Sequence, residues 1–286
     1  MGTPGGLGYG PVMDTTASTS PSAGSLLREW RIRRRMSQLD LALEADVSQR
    51  HLSFVESGRS RPSREMVLHL AERLDVPLRE RNRLLLAAGF APGYAERRLD
   101  EASLAPALKA VEMVLKGHEP NPAIAVDRSW NLVLANAAMT PFLEAVADPA
   151  LLAPPVNVLR LSLHPGGLAP HILDLADWRD HLVERLLRIT RDVCEPALTA
   201  LVDELKAYPV PPRRRPATVP DPSAIAIPLR LRLGGEVLSF ITTITVFGTP
   251  LDVTLSELAV ETFFPADAET AAFLRRRSSS VSPAAG

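Results

Sequence analysis

Between residues 25 and 90 the apolar positions recur three and four residues apart and are broken by short polar stretches, the pattern of an array of short amphipathic helices. The first predicted helix covers 25–34, with Leu27 and Trp30 three apart and Leu26 and Trp30 four apart on one face and arginines outward. Ser37 precedes Gln38-Leu39-Asp40-Leu41-Ala42-Leu43-Glu44. A serine at the N-cap accepts a bond from an otherwise unpaired backbone N–H, and Asp40 lies near the positive helix end, so a second helix starts at Gln38. It stops near Ala45-Asp46-Val47, and Ser48 caps a third helix over 49–56. There Leu52 and Val55, with Phe54 beside them, supply a buried side, and Gln49, Arg50 and Ser53 share the polar side. Gly58 provides a stop, Pro62-Ser63 opens a fourth helix running to 74, and 78–88 make a fifth ending at Gly89. Leu39, Ala42, Val47, Leu52 and Val55 are expected in the core, and His69 on the surface or half-buried.

Ala91-Pro92-Gly93-Tyr94 breaks this array, and a helix over 104–116 ends at Gly117. From Pro122 to Asn136 the pattern is strand, polar turn, strand, feeding a helix at Ala137. A short segment over 157–163 precedes His164-Pro165-Gly166-Gly167, and helices follow over 178–192, strongly amphipathic, and 197–207. The proline-dense stretch 208–222, containing Arg213-Arg214-Arg215, reads as an exposed loop. Strands over 225–233 and 236–246 meet at Gly234-Gly235, the chemistry of a tight hairpin. A last strand, 257–264, precedes a helix over 266–275.

At 286 residues the chain suggests about two domains at roughly 100–200 residues each. Its 46% hydrophobic and 23% charged residues are those of a globular protein, which excludes wholesale disorder and collagen-like or disulfide-dense architecture. The sole cysteine, Cys194, cannot form an internal disulfide and reads as a buried inert thiol. No uncharged apolar run approaches the roughly 18 residues that span a bilayer, and residues 1–24 lack the basic start and apolar core of a secretory signal. The net charge of −1 hides an asymmetry: 25–90 carries 13 Arg and 9 acids, or +4, and the remainder 19 basic and 24 acidic residues, or −5. A basic module on an acidic body points to the first as the part that meets a polyanion.

Two helices joined by a three-residue turn, the second exposing hydrogen-bonding side chains at its start, are what a DNA major groove about 12 Å wide accepts. The residues that carry this are Ser37 to Ala42, Ala45-Asp46-Val47-Ser48, Leu52-Ser53 and Glu56 to Ser63, which resemble the phage-repressor/Cro-type (XRE) helix-turn-helix. Asp46 stands where that family usually has glycine, and aspartate tolerates left-handed backbone better than most residues. The resemblance implies that Gln38 contacts phosphate and that Ser48, Gln49, Arg50 and Ser53 fall where the recognition helix meets bases and backbone. Gln reads adenine N6/N7 and Arg reads guanine O6/N7. His51 either contacts a phosphate or packs, and Arg59 and Arg61 hold phosphates. Arg35, in the run Arg33-Arg34-Arg35, is a further DNA candidate, for which a solvated charged face is the alternative.

In the body, Val126-Asp127-Arg128-Ser129-Trp130 with Ala135-Asn136-Ala137-Ala138, then Asn157-Val158-Leu159-Arg160 and Asp177-Trp178, resemble in their order the MmyB-like ligand-binding domain. That domain is PAS-like and follows an XRE headpiece in a family of bacterial transcription regulators. The expected fold is therefore multidomain, with an all-α five-helix helix-turn-helix domain (25–90), a linker (91–105) and an α/β PAS-like domain with an antiparallel sheet (106–274). Disordered tails are expected at 1–24 and 275–286. The resemblance implies an apolar cavity able to hold a fatty acid, with Trp130, Leu132, Phe142, Trp178, Phe240 and Phe263 as candidate contacts; ordinary core packing accounts for the same residues.

Other chemistry is thin. His164, His171 and His181 with Asp174, Asp177 and Asp180 contain no compact pair such as H-x3-H, so no metal is expected. The glycines between Gly5 and Gly10 follow no strand and make no phosphate loop. Nothing assembles a nucleophile, base and oxyanion site, so neither catalysis nor a cofactor is expected. The expectation is a homodimeric cytoplasmic regulator, nucleoid-associated when bound, on double-stranded DNA with a palindromic operator, away from membranes and sensing a small apolar ligand. The competing expectations are a ligand-free dimerisation or partner-interaction body and, less supported, an enzyme fused to a DNA-binding head.

Overall fold

The computed structural model describes residues 21–192, 196–212, 228–247 and 251–281. The chain divides into two compact units, Met1–Gly93 and Tyr94–Gly286. Cys194, Arg213 to Arg215, the glycines between Gly5 and Gly10 and the first three residues of the strand predicted over 225–233 lie outside the described residues.

Among the described residues of the first unit, five helices follow in order: α1 (Ala23–Arg33), α2 (Gln38–Glu44), α3 (Gln49–Glu56), α4 (Arg64–Arg73) and α5 (Leu78–Ala87). The first four each open on a serine: the hydroxyls of Ser22, Ser37, Ser48 and Ser63 accept from the backbone N–H of Ser25, Asp40, His51 and Met66. Residues 21–24, expected in a disordered tail, therefore belong to the fold, and α1 starts at Ala23. Gly24 lies so close to α3 that a Cβ there would sit 2.1 Å from the Val55 carbonyl oxygen. The exits of α1, α2 and α4 share one construction. Met36, Val47 and Val76 donate back to the carbonyls of Arg31, Ala42 and Ala71, with Arg35, Asp46 and Asp75 between them at φ 57°, 50° and 46°. Asp46 thus adopts the left-handed backbone that glycine otherwise supplies.

One expectation for the core fails. Leu39 is 51% exposed, because α2 turns Leu41 and Ala42 inward and its short length leaves Leu39 and Leu43 on the opposite face. What α1, α2 and α3 share instead is a buried carboxylate. Glu56 accepts from Arg31 through both oxygens, at 2.6 and 2.8 Å, and from the Gln38 amide at 2.8 Å. Burial pushes the Glu56 carboxyl up. The hydrogen bonds from Arg31 and Gln38 and the charges of Arg31 and Arg28 outweigh it and hold the group below the usual carboxylate range.

Among the described residues of the second unit, five strands form one antiparallel sheet in the order β2-β1-β5-β4-β3: β1 (Ala123–Val126), β2 (Leu132–Ala135), β3 (Leu229–Leu233), β4 (Glu236–Val246) and β5 (Ala259–Pro265). Gly234 and Gly235, at φ 59° and 85°, make the β3–β4 turn. The helices are α6 (Ala105–Gly117), α7 (Thr140–Glu144), α8 (Val158–Leu163), α9 (Leu175–Asp192), α10 (Pro196–Ala207), α11 (Val253–Ser256) and α12 (Ala268–Val281). β1 is buried on both faces: Ala123 and Ala125 pack on α6 with Val111 and Leu115, and Ile124 and Val126 enter the main core with Trp178, Leu231 and Phe240. α8 and α11 are additions to the predicted elements, and α12 continues through 275–281, where a disordered tail is expected.

Three polar residues of the resemblance build this frame. Asp127 accepts from the N–H of Ser129 and Asn131 and from the Asn131 amide, closing the β1–β2 turn. Buried Asn136 accepts from Ala123 and donates to the carbonyls of Leu115 and Asn121, tying β2 to β1 and to the end of α6. Asn157 caps α8 at Arg160 and donates to the Ser129 carbonyl.

Arg31→Ala leaves the Glu56 carboxylate buried without its ion partner, which is expected to cost about 3–5 kcal/mol in urea unfolding, whereas the apolar pair Arg31→Met with Glu56→Leu loses far less. Because the folded pKa of Glu56 is depressed, its contribution is fully present above the unfolded value of about 4.3 and fades as the pH falls below it. Glu56→Gln, compared with the parent at pH 7 and in mild acid, is expected to flatten that dependence.

Candidate nucleic-acid interface and apolar cavity

In the first unit, Ser48, Gln49 and Arg50 are exposed at the start of α3, with His51 and Ser53 half-buried after them. The Ser48 hydroxyl is committed to capping, since it accepts from the His51 N–H at 3.1 Å. Leu52, Val55 and Glu56 turn inward, so the side bearing Gln49, Arg50 and Ser53 faces away from the core. Arg59 and Arg61 are exposed in the loop before α4, and Arg35 is exposed in the turn before α2. Half-buried Gln38 gives its amide hydrogen to Glu56, so it holds the helices together as well as standing at the start of α2.

Phe54, expected beside Leu52 and Val55 on the buried side of α3, is only half-buried and organises this surface instead. The guanidinium of Arg50 lies 5.4 Å from the centre of the Phe54 ring and that of Arg59 lies 6.0 Å from it. A helix cation and a loop cation are thus gathered on one aromatic ring. The i, i+4 spacing of Arg50 and Phe54 was the available signal. The arginine run divides: Arg34 donates to the carbonyls of Leu74 and Asp75, both at 2.9 Å, and so closes the end of α4, while Arg33 pairs with Glu29. Both lie over the buried Trp30 ring, at 5.0 Å for Arg33 and 5.6 Å for Arg34.

In the second unit a cavity of about 70 Å³ lies between the sheet and α7, α8 and α9. Leu132, Phe142, Trp178 and Phe263 line it; Trp130 and Phe240 do not. Trp130 has left-handed backbone at φ 63° and lies beneath the guanidinium of Arg185 at 4.4 Å. Phe240 is fully buried and stands behind the wall, edge-on to Phe142 at 5.8 Å and to Phe263 at 6.4 Å.

The polar side chains lining the cavity were not anticipated. Arg185 donates to Glu261 at 2.9 Å, and Ser162 accepts from the Trp178 indole N–H at 3.0 Å. Arg185 shares a face of α9 with Trp178 and Leu182, at i, i+4 and i+7, and Glu261 occupies an inward position of β5. Next to them His181 stacks on Trp178, with ring centres 5.5 Å apart. Burial, then the charges of Arg185 and Arg188, hold its pKa below the ordinary histidine value. Among the described residues no group of three or more His, Cys, Asp or Glu could hold a metal ion, and no helix is long and apolar enough to cross a membrane.

Comparison with known families agrees with this division. A family model described as MmyB-like transcription regulator ligand binding domain matches residues 108–276, more than half of the chain, and a helix-turn-helix model matches residues 27–81. No curated protein matches the chain.

His181 stays neutral more readily folded than unfolded, so its contribution to stability is complete above the unfolded value of about 6.5 and is lost as the pH falls below it. Thermal unfolding of the full chain on either side of that value is expected to show a lower melting temperature on the acid side, and His181→Gln to reduce the difference.

Proposed function

Because the chain belongs to the transcription regulators with an MmyB-like ligand-binding domain and carries a helix-turn-helix, we propose that it binds a palindromic operator as a homodimer under the control of a small apolar ligand such as a fatty acid. On this reading α3 enters the major groove, Gln49 and Arg50 read base edges, and Ser53 and His51 meet edges or backbone. Ser48 fixes the start of the helix. Arg35, Gln38, Arg59 and Arg61 hold phosphates, which positions the unit without specifying sequence. One headpiece reads one half-site, so two copies on half-sites roughly 34–36 Å apart follow from the geometry of the duplex. The protein would work in the cytoplasm and associate with the nucleoid when bound.

The observation that carries the DNA reading is the outward side of α3, with Arg50 and Arg59 on Phe54. The ligand reading rests on the apolar cavity. That cavity's modest volume of about 70 Å³ also favours a second reading, in which the body is a ligand-free dimerisation or partner-interaction module. Native mass spectrometry separates the two: a dimer carrying a releasable amphiphile supports the first, and a clean dimer unchanged by long-chain acids supports the second.

Operator affinity is expected to fall steeply with salt, because phosphate contacts release counterions. Arg59→Ala should weaken all sequences alike and lower the salt slope by about one, whereas Arg50→Ala should remove about 1–3 kcal/mol of discrimination at one base pair. Phe54→Leu should weaken binding by about 0.5–1 kcal/mol for each arginine it releases. Anisotropy titrations on an operator and its single-base variants measure all three. Equal loss on every sequence from Arg50→Ala would remove its base-reading role.

A further inference from the structure

The inner cavity of the second unit is small for its assigned task. Its volume of about 70 Å³ falls below the roughly 300–1,000 Å³ of pockets that enclose drug-sized ligands. Beside it lies a second hollow of about 370 Å³, bounded by Pro120, Thr140 and Pro141 on one side and by Phe273, Leu274 and Arg277 of α12 on the other. Among the described residues the two walls share a single side chain, Phe142.

Phe142 is 5% exposed and stands in the middle of α7, a helix of five residues. Its ring forms no hydrogen bond and is held by packing, edge-on to Phe240 at 5.8 Å. Turning such a ring away breaks no polar contact. It would join hollows of about 70 and 370 Å³, extending a groove already within the range of roughly 300–1,000 Å³ for enclosed ligands.

We infer that the cavity and the outer groove are two chambers of one ligand site, partitioned by Phe142, and that the site takes a single-chain amphiphile. The end of the tail occupies the inner chamber, and the rest of the chain and the polar head lie in the groove. This rests on the ligand reading proposed above and adds the entry route and the residue that sets chain length. A narrow alkyl chain suits a passage the width of one ring. Arg185 and Glu261, the charged residues of the inner chamber, are paired to each other, which leaves no net charge there to bind a head group. The groove carries exposed Glu119, Glu144 and Arg277 at its margin, where a solvated head is accommodated.

With Phe142 closing the passage, a long chain binds only the fraction of molecules in which the ring has turned, and its apparent affinity is reduced by that fraction. A short chain held in the groove alone escapes the penalty. Displacement of cis-parinaric acid by octanoic, lauric and palmitic acids is therefore measured on the full chain and on Phe142→Ala, Phe142→Leu and Phe142→Trp. The leucine variant keeps the test open where alanine fails to fold, and circular dichroism checks each protein. The expected result is palmitic acid tightened about tenfold by leucine or alanine and weakened by tryptophan, with octanoic acid unchanged, for a ring turned away in about a tenth of the molecules. A folded variant that shifts all three acids by one factor, or none, overturns the partition and leaves the ligand reading standing. Failure of cis-parinaric acid and every competitor to bind parent and variants alike overturns both.

Discussion

Each unit of this chain holds a glutamate carboxylate away from water, and each does so with an arginine against it. Glu56 is 7% exposed and Glu261 is 4% exposed. Withdrawing an ionised carboxylate from water costs several kcal/mol, so the position of the partner is not free. In the first unit that requirement brings α1 onto the end of α3, where Gly24 permits the contact, and draws in Gln38 at the start of α2. Once α3 has turned Leu52, Val55 and Glu56 inward, Gln49, Arg50 and Ser53 can face only outward. The outward surface of α3 is thus a consequence of how its last residue is buried.

The same constraint shapes the second unit differently. Glu261 points from β5 into the main core, so α9 must lay Arg185 across the sheet to meet it, and Trp130 flattens beneath the guanidinium. On the other face small side chains, Ala123 and Ala125, let α6 pack closely. The face that carries the rings, the long aliphatic chains and the ion pair is the one on which the apolar cavity lies.

Local signals were legible and distant ones were not. Ser37, Ser48 and Ser63 announce their helices because an N-cap acts on residues two or three positions away, and Gly234-Gly235 announces its hairpin for the same reason. Ser22 does the same work but is embedded among small and turn-forming residues, where composition reads as tail. Leu39 misled because leucines alternate through α2 and only one stripe of so short a helix can be buried. Asn157 is a cap that periodicity could not turn into a helix as short as α8. Of the ligand candidates, aromatic content identified three lining residues, Phe142, Trp178 and Phe263, without separating them from Trp130 and Phe240, since composition does not say which ring faces the space. Arg185 and Glu261 are 76 residues apart, and no local pattern joins them.

On the proposed reading, regulation is a coupling free energy, and it runs both ways: a ligand that alters DNA affinity by some factor has its own affinity altered by the same factor when DNA is bound. Such coupling needs elements whose arrangement differs between the two states. On that reading the difference would start in the second unit at Phe142. Its ring leans on Phe240 of β4, and β4 is joined to α12 by the Ser239 N–H donating to the buried Thr270 hydroxyl at 2.9 Å. α12 is also a wall of the outer groove. A chain passing Phe142 would therefore reach β4 and α12 before the face beneath α6. The Arg185–Glu261 pair lines the same space, so a ligand there meets one of the interactions on which the second unit rests, and ligand response and stability are coupled on this reading.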